Sequence, residues 1–574
     1  MTALLTDNLP LLAVAPNGIK KLRELILELA VRGKLVPQDR NDEPAGALLK
    51  RVAEEKLRLV AEGKIKKQKT LEEIATEESP FVLPAGWEWT RLGNVSAYIQ
   101  RGKGPAYVDQ SDFRVVSQKC VRWTGLDLQP ARFIEPESLV KYEPIRFLRS
   151  GDILWNSTGT GTIGRACIVE NCSEDEQLVA DSHVTVVRPT TISPVFLWRW
   201  IQSPSVQREL EGNASGTTNQ IELNTSTVIS HLTPIPPLAE QHRIVAKVDE
   251  LMALCDRLEG QQADAESAHA QLAQALLGSL TQATDAEDFA ASWQRLAEHF
   301  HTLFTTESSI DALKQTLLQL AVMGKLVPQD PSDEPASELL RRLANGKAEL
   351  VRSGLLKAPK PLPDIKQHEI PYELPQAWKW VRLGEVSEFV NGDRGKNYPN
   401  RTEYVSAGIP WINTGHIEPD GTLSQDSMHY IAREKFESLN GGKIRLGDLV
   451  YCLRGATFGK TAIVDPYSEG AIASSLMIIR PFEPCSNRFM YRYLTSKIGR
   501  DQIFRFDNGS AQPNLSANNV RLYVYPLPPL PEQHRIVAKV DQLMALCDQL
   551  KTRLAQARQL NEQLATALVE QAVA

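Results

Sequence analysis

Two long stretches of this chain occur twice, so it must fold as two copies of one unit. Residues 33–39 read GKLVPQD, and the same seven residues return at 324–330, 291 positions later. Residues 236–258 read PPLAEQHRIVAKVDELMALCDRL and residues 528–550 read PPLPEQHRIVAKVDQLMALCDQL, identical at 20 of 23 positions with an offset of 292. The 574 residues, 42% of them hydrophobic, supply several cores, and three or four structural units are expected.

Each copy has three parts that have diverged unequally. The first is a helical lead-in: Ile19, Leu22, Ile26 and Leu29, and again Ile310, Leu313, Leu317 and Leu320, step by 3, 4 and 3, as an apolar helix stripe requires. A second short helix follows each, opened by Asp-Glu-Pro at 42–44 and 333–335, with proline near the start where its missing N–H costs little. The middle parts, 80–235 and 371–527, mix short β-rich runs with turn glycines and share only a skeleton. LPAGWEWTRLGNV from Leu83 matches LPQAWKWVRLGEV from Leu374, and GDILW from Gly151 matches GDLVY from Gly447. A common scaffold with private loops suits two domains that recognise different targets.

The third part is a long helix. Ile244, Val248, Leu251, Cys255 and Leu258, and likewise Ile536, Val540, Leu543, Cys547, Leu550 and Leu554, alternate steps of 4 and 3, the heptad pattern of a coiled coil, and predict that the two helices pair with each other. Glu240, Gln241, His242, Arg243, Lys247 and Asp249 recur as Glu532, Gln533, His534, Arg535, Lys539 and Asp541, mostly outside that stripe. Solvated faces rarely need to match, so these residues are expected to offer one surface twice to two copies of a partner. The whole divides as a helical lead-in over 1–79, a mixed domain over 80–235, a central long helix with the second lead-in over 236–370, a second mixed domain over 371–527 and a C-terminal long helix over 528–574.

Seven cysteines without a Cys-x-x-Cys pair or a nearby histidine cluster argue against structural zinc and a disulfide framework, and no metal site is expected. No stretch reaches the roughly 20 apolar residues of a membrane span, and the first residues lack a basic leader, so a cytoplasmic protein with no membrane partner is expected. The net charge of −6 is not the basic excess common in nucleic-acid binders. Nucleic-acid binding then requires basic residues gathered on one face, or basic partners that share the phosphate contacts.

The order of a variable mixed domain, a PPLxEQxRIVxKVDxLMxLCDxL helix, a second variable domain and a second such helix resembles the specificity (S) subunits of type I restriction-modification enzymes over nearly the whole chain. The KLVPQD-x-x-DEPA lead-in resembles the longer members of that family. The resemblance implies an α+β fold: two mixed α/β target recognition domains separated by two long antiparallel coiled-coil helices, with an internal pseudo-twofold repeat. It implies a non-catalytic subunit that binds double-stranded DNA at an asymmetric bipartite target, docks two methyltransferase (M) subunits and, through them, restriction (R) subunits. It also implies that S-adenosylmethionine, ATP and Mg belong to those partner subunits, with no cofactor bound by this chain. Helix length would act as a ruler, because at about 1.5 Å per residue roughly 23 residues match one duplex turn of about 34 Å. A stand-alone DNA-binding regulator or architectural protein is the alternative, although it would have no use for a duplicated docking face.

Two catalytic look-alikes fail on context. Residues 159–164 form GTGTIG, but the following RACIVE reads as strand where a dinucleotide site needs a helix. GATFGKT at 455–461 has three residues between its glycines where a phosphate loop has four, and AIVD follows, again strand. Both are better taken as hairpin turns.

Base edges are read by Arg, Lys, Asn and Gln, with Ser and Thr less selective, so candidate readers are sought in loops at matching positions of both copies. The first place is Ser117, Gln118 and Lys119, matched by Asn413, Thr414 and His416. The second is Thr158, Thr160, Thr162 and Arg165, against Arg454, Thr457 and Lys460. The third is Thr218, Asn219 and Gln220, against Ala511, Gln512 and Asn514. Arg488, Arg492, Lys497, Arg500 and Arg505 on a predicted helix are further candidates for phosphate contact, with Arg199 and Arg208 in the first copy.

Overall fold

The computed structural model describes residues 11–573 except 14, 141, 160, 173–176, 215–221, 455–456 and 507–514, and the backbone alone at 76 and 211–214. The chain divides into two units, Met1–Ala265 with Ala557–Ala574, and Glu266–Gln556. The division falls inside the central helix Leu238–Gln282 and the C-terminal helix Leu530–Val573.

In the first unit β1 (Glu88–Arg91) pairs with β12 (Leu232–Ile235), joining the two ends of the middle domain. An antiparallel sheet has the order β2-β11-β8-β9, from Ser96–Arg101, Val184–Pro189, Ile153–Asn156 and Ala166–Ile168. A second sheet has the order β10-β4-β7-β3, from Val179–Ala180, Arg114–Val116, Arg132–Ile134 and Tyr107–Val108. A small hairpin is made by β5 (Val121–Arg122) and β6 (Gly125–Leu126).

The second unit repeats the pairing of the ends and both four-stranded sheets. β13 (Lys379–Arg382) pairs with β22 (Val524–Leu527). The order β14-β21-β18-β19 uses Ser387–Asn391, Leu476–Pro481, Leu449–Cys452 and Thr461–Ile463. The order β15-β17-β16-β20 uses Tyr404–Val405, His429–Ile431, Ile409–Ile412 and Ala471–Ile472. Of the first unit's strands, the β5–β6 hairpin alone has no counterpart among the described residues.

The repeated words have local causes. The lead-in helix Gly18–Val31 ends with Lys34 N–H donating to Leu29 O at 2.8 Å and Gly33 N–H to Ala30 O at 3.3 Å, a Schellman turn that needs the left-handed φ of 68° found at Gly33. Gly324 ends the helix Glu307–Val322 in the same way at φ 73°. The GD of GDILW and GDLVY places a buried aspartate where Arg188 forks onto Asp152 at 2.7 and 2.7 Å, and Arg480 onto Asp448 at 2.8 and 2.7 Å.

The near-identity of the long helices has a cause within each unit. Glu240 is buried and accepts from Trp87 Nε1 at 3.1 Å and Gln38 Nε2 at 3.3 Å; Glu532 accepts from Trp378 at 2.9 Å and Gln329 at 2.6 Å. Arg243 forks onto Asp42 at 3.2 and 2.6 Å, and Arg535 onto Asp333 at the same distances. Gln241 and Gln533 are buried with their amides on the Pro236 and Pro528 carbonyls. The long helix, the VPQD-x-x-DEP lead-in and the LPxxW segment are therefore fastened together within each unit. Of the six repeated polar residues, the lysines bond only within their own helix, Lys247 to Glu250 and Lys539 to Gln542, and the exposed His242 and His534 have no such bond among the described residues.

The heptad stripes serve the same assembly. In the first unit Ile244, Val248, Leu251 and Cys255 share one core with Ile19, Leu22, Ile26 and Leu29 of the lead-in helix and with Ala565 of the C-terminal helix, and Leu258 packs at its margin. In the second, Ile536 and Val540 enter the core that holds Trp378. There Leu543, Cys547, Leu550 and Leu554 meet Ile310, Leu313, Leu317 and Leu320, and also Ala273, Leu277 and Leu280 of the central helix. Each stripe is thus covered by its own lead-in helix as well as by the other long helix.

Candidate nucleic-acid interface

In both middle domains three loops converge at the strand ends. In the first, the turn after β4 carries Ser117, Gln118 and Lys119, the β8–β9 hairpin carries Thr158, Thr162 and Arg165, and residues 181–183 link β10 to β11. Buried Asn156 joins the first two loops, donating from Nδ2 to the carbonyls of Gln118 at 3.1 Å and Thr162 at 3.2 Å. Thr162 Oγ1 lies 3.3 Å from Gln118 Oε1, and Thr158 Oγ1 lies 2.7 Å from His183 Nδ1, which draws in the third loop. Ser117 is occupied locally by the Lys119 N–H at 3.3 Å, leaving Lys119 exposed. Arg165 is half-buried and donates to Gly161 O at 3.4 Å.

The second domain builds the same junction from other groups. Asn413 Oδ1 accepts the Gly415 N–H at 2.8 Å, its Nδ2 lies 3.2 Å from His429 Nδ1, and its own N–H reaches His416 Nδ1 at 3.1 Å. His416 is buried, and burial, helped by the neighbouring His429, lowers its pKa, so it is held as the neutral acceptor that this bond needs. Thr414 is half-buried on the same turn. Arg454 is exposed on the β18–β19 hairpin, Thr457 Oγ1 lies 3.6 Å from Cys452 Sγ, and Lys460 Nζ donates to Ile417 O at 3.3 Å. Burial raises the Asp181 pKa in the first domain, against the His183 N–H at 2.8 Å.

Thr160, Thr218, Asn219, Gln220, Ala511, Gln512 and Asn514 lie outside the described residues. The chain beside the last six is placed in both units by a matched bond to the hairpin strand: Leu223 N–H to Ser157 O at 2.8 Å, and Leu515 N–H to Leu453 O at 3.2 Å. The glycine-rich look-alikes stand between the paired strands β8 and β9 and between β18 and β19, so a strand and not a helix comes next, Ala166–Ile168 and Thr461–Ile463. Most of the basic helix stretch is neutralised internally: Arg492 and Arg488 meet Asp541 at 2.5 and 3.5 Å, Lys497 meets Asp501 at 2.8 Å, and Arg505 pairs with Glu369. Arg199 meets Asp249 at 2.8 Å, so both repeated aspartates of the long helices are held by a middle-domain arginine.

Sequence reasoning missed one pair of segments. The chain after β2 and after β14 passes close beneath the third loop, where a Cβ at Gly102 or Gly392 would collide with the carbonyl of Ala180 or Ala473. Beside these glycines stand Arg101 and Lys103, and Arg394 and Lys396, with Lys103, Arg394 and Lys396 exposed. The Arg-Gly-Lys word shared by 101–103 and 394–396 was the available signal. Among the described residues no acidic, histidine or cysteine cluster could hold a metal ion, and no helix is long and apolar enough to cross a membrane.

This geometry is a pair of polar, partly basic loop junctions on duplicated scaffolds. The family model for the type I restriction modification DNA specificity domain matches the chain twice, over residues 84–266 and 375–559. The EcoAI specificity subunit of Escherichia coli is 38% identical, with 97% of this chain and 94% of that protein covered. The EcoEI specificity subunit of Escherichia coli is 37% identical with the same coverage. A chain from a solved type I restriction-modification structure shares the fold, with a TM-score of 0.50 at 21% identity over 86% of this chain and 99% of that one. The chain belongs to the specificity-subunit family of type I restriction-modification systems, and is the non-catalytic, DNA-recognising member of such a system.

Proposed function

We propose that this chain reads an asymmetric two-part DNA target, one half with each middle domain, and docks two methyltransferase subunits, through which restriction subunits join. The observation that carries this reading is the contrast within the repeat. The two scaffolds match in every strand but the β5–β6 hairpin, while Ser117, Gln118 and Thr158 at the junction of one are replaced by Asn413, Thr414 and Arg454 in the other. Different side chains on one frame give half-sites that need not be related.

The two long helices then form the antiparallel coiled coil that spaces the half-sites, an arrangement related by a pseudo-twofold axis. In support, the tail of each long helix shares a core with the first part of the other: Ala565 with Ile244 and Val248, and Leu277 and Leu280 with Leu543 and Cys547. A pseudo-twofold frame lets two identical methyltransferases engage unlike halves. S-adenosylmethionine, ATP and Mg are assigned to the partner subunits. Mapping N6-methyladenine across the genome of cells carrying this chain with its methyltransferase tests the reading. A split, asymmetric motif is expected, and a continuous palindrome overturns it.

A further inference from the structure

One tyrosine returns at the same place in both middle domains, in a region where the two sequences otherwise differ. β3 and β15 both begin Tyr-Val, as Tyr107-Val108 and Tyr404-Val405. Their registers agree, with Tyr107 opposite Ile134 and Tyr404 opposite Ile431. The residue two positions before each isoleucine is the tyrosine's diagonal neighbour on the same face, within reach of a long side chain. That residue is Arg132 in the first domain and His429 in the second. The Arg132 guanidinium lies 3.5 Å from the centroid of the Tyr107 ring, and the His429 imidazole stacks on Tyr404 with centroids 4.9 Å apart and planes at 29°. The platform is constant and the head group is exchanged.

Both heads stand beside the reading turns. Arg132 opens β7 and pairs with Val115, two residues before Ser117; His429 opens β17 and pairs with Trp411, two residues before Asn413. Both are exposed. Among the described residues the Arg132 guanidinium makes no hydrogen bond or ion pair, so its donor edge is unspent. Stacking on a strand-held ring removes much of the side-chain freedom that an exposed arginine would otherwise lose on binding. A fixed guanidinium fork suits the O6 and N7 acceptors of guanine, and an imidazole suits a single bond to a base edge.

We propose that Arg132 and His429 are base-reading, specificity-determining residues of the two half-sites, each held in place by its tyrosine, with Arg132 selecting a guanine. The proposal rests on the DNA-reading function assigned above. The test incubates the full chain, in complex with its methyltransferase subunit, with duplexes carrying about 30 random base pairs, sequences the bound fraction, and measures affinity for the enriched duplex and its single-letter variants. The wild type is expected to enrich a split motif. R132A is expected to lose about ten- to hundredfold discrimination at one guanine of one half while leaving the other half intact, and H429A to relax one letter of the other half. R132K keeps the charge but not the fork, and is expected to lose the same letter. The half-site left intact reports in each case that the chain is folded. A wild-type motif whose letters all survive R132A and R132K, with affinity falling uniformly, makes Arg132 a phosphate contact and overturns the proposal. If the wild type enriches no split motif, the DNA-reading function itself fails, and this proposal with it.

Discussion

Removing the Glu240 carboxylate separates the two causes that can make the long helices nearly identical, folding and partner binding. Glu240 is 1% exposed and accepts from the Trp87 indole and the Gln38 amide. E240A leaves both donors without their acceptor. A lost hydrogen bond to a charged group whose donor stays buried costs about 1.5–3 kcal/mol. Part of that is offset because an unfavourably buried carboxylate, its pKa raised by desolvation, is also removed. Gln38 is exposed and can turn to water, so the buried Trp87 indole sets the net cost at about 1–2 kcal/mol, or roughly 5- to 30-fold in the local opening equilibrium. Hydrogen exchange on the full chain should show that increase in the lead-in helix Gly18–Val31 and in β1, with the second unit's amides unchanged, and E532A should show the mirror result. The reasoning is refuted if E240A shifts opening by less than about 0.5 kcal/mol, the size of an ordinary surface substitution. The exposed His242 and His534 would then have to share the explanation with Glu240 and Glu532 as partner-facing residues.

Asp152→Ala leaves Arg188 inside the domain with no carboxylate, whereas Asp448→Ala leaves Arg480 its 3.1 Å pair with Glu388 and is expected to cost less. Breaking a buried pair costs about 3–5 kcal/mol, read as a lowered urea midpoint, and a loss under about 1 kcal/mol contradicts the buried-fork account. Glu369 is held at a pKa of about 2, chiefly by the Arg382 hydrogen bonds, with Arg505 alongside. A carboxylate depressed in this way stabilises the fold above its ordinary value near 4.5, and that contribution is lost as pH falls from there toward 2. E369Q should therefore flatten the acid limb of the stability curve by about 1–2 kcal/mol after solvent screening, and an unchanged limb refutes the assignment. Four residues inserted into the central helix add about 6 Å of rise, near two base pairs, so the methylated motif should gain spacer with both halves unaltered; changed letters would sink the ruler idea.

The duplication, the helical parts and the two mixed domains were legible because periodicity and repetition survive in the side chains. Ile19, Leu22, Ile26 and Leu29 announce a helix face, and they lie in one core with Ile244 and Val248. What those stripes touch was not legible. A heptad pattern states that a face is buried without saying which neighbour buries it, and here the lead-in helix takes much of the area assigned to the other long helix. The polar repeats were misleading for a related reason. Glu240 looks solvated on a helical wheel, yet it is buried and bonded to a tryptophan and a glutamine more than 150 residues earlier in the chain. At the candidate interface, aligned turns picked out Gln118 with Thr162 and Asn413 with His416, groups the fold does bring together. The Tyr107–Arg132 and Tyr404–His429 pairs escaped because strands of two or three residues leave too short a pattern for the register to be read.

The distribution of divergence follows from these energies. At the fastening of helix, lead-in and tryptophan, exchanging the buried glutamate breaks its bond to a buried indole, a loss of about 1–2 kcal/mol against a total domain stability of about 5–15 kcal/mol. Glu240 with Trp87 and Glu532 with Trp378 are therefore kept as matched sets in both copies. At the loop junctions the side chains are exposed or half-buried, and most substitutions there fall within about 0.5 kcal/mol. The exchange of Arg132 for His429 leaves β7 and β17 in the same register beside the same tyrosine. A reading head can thus be replaced at almost no cost to the frame that carries it, and this allows one scaffold, used twice in one chain, to hold two unlike recognition surfaces.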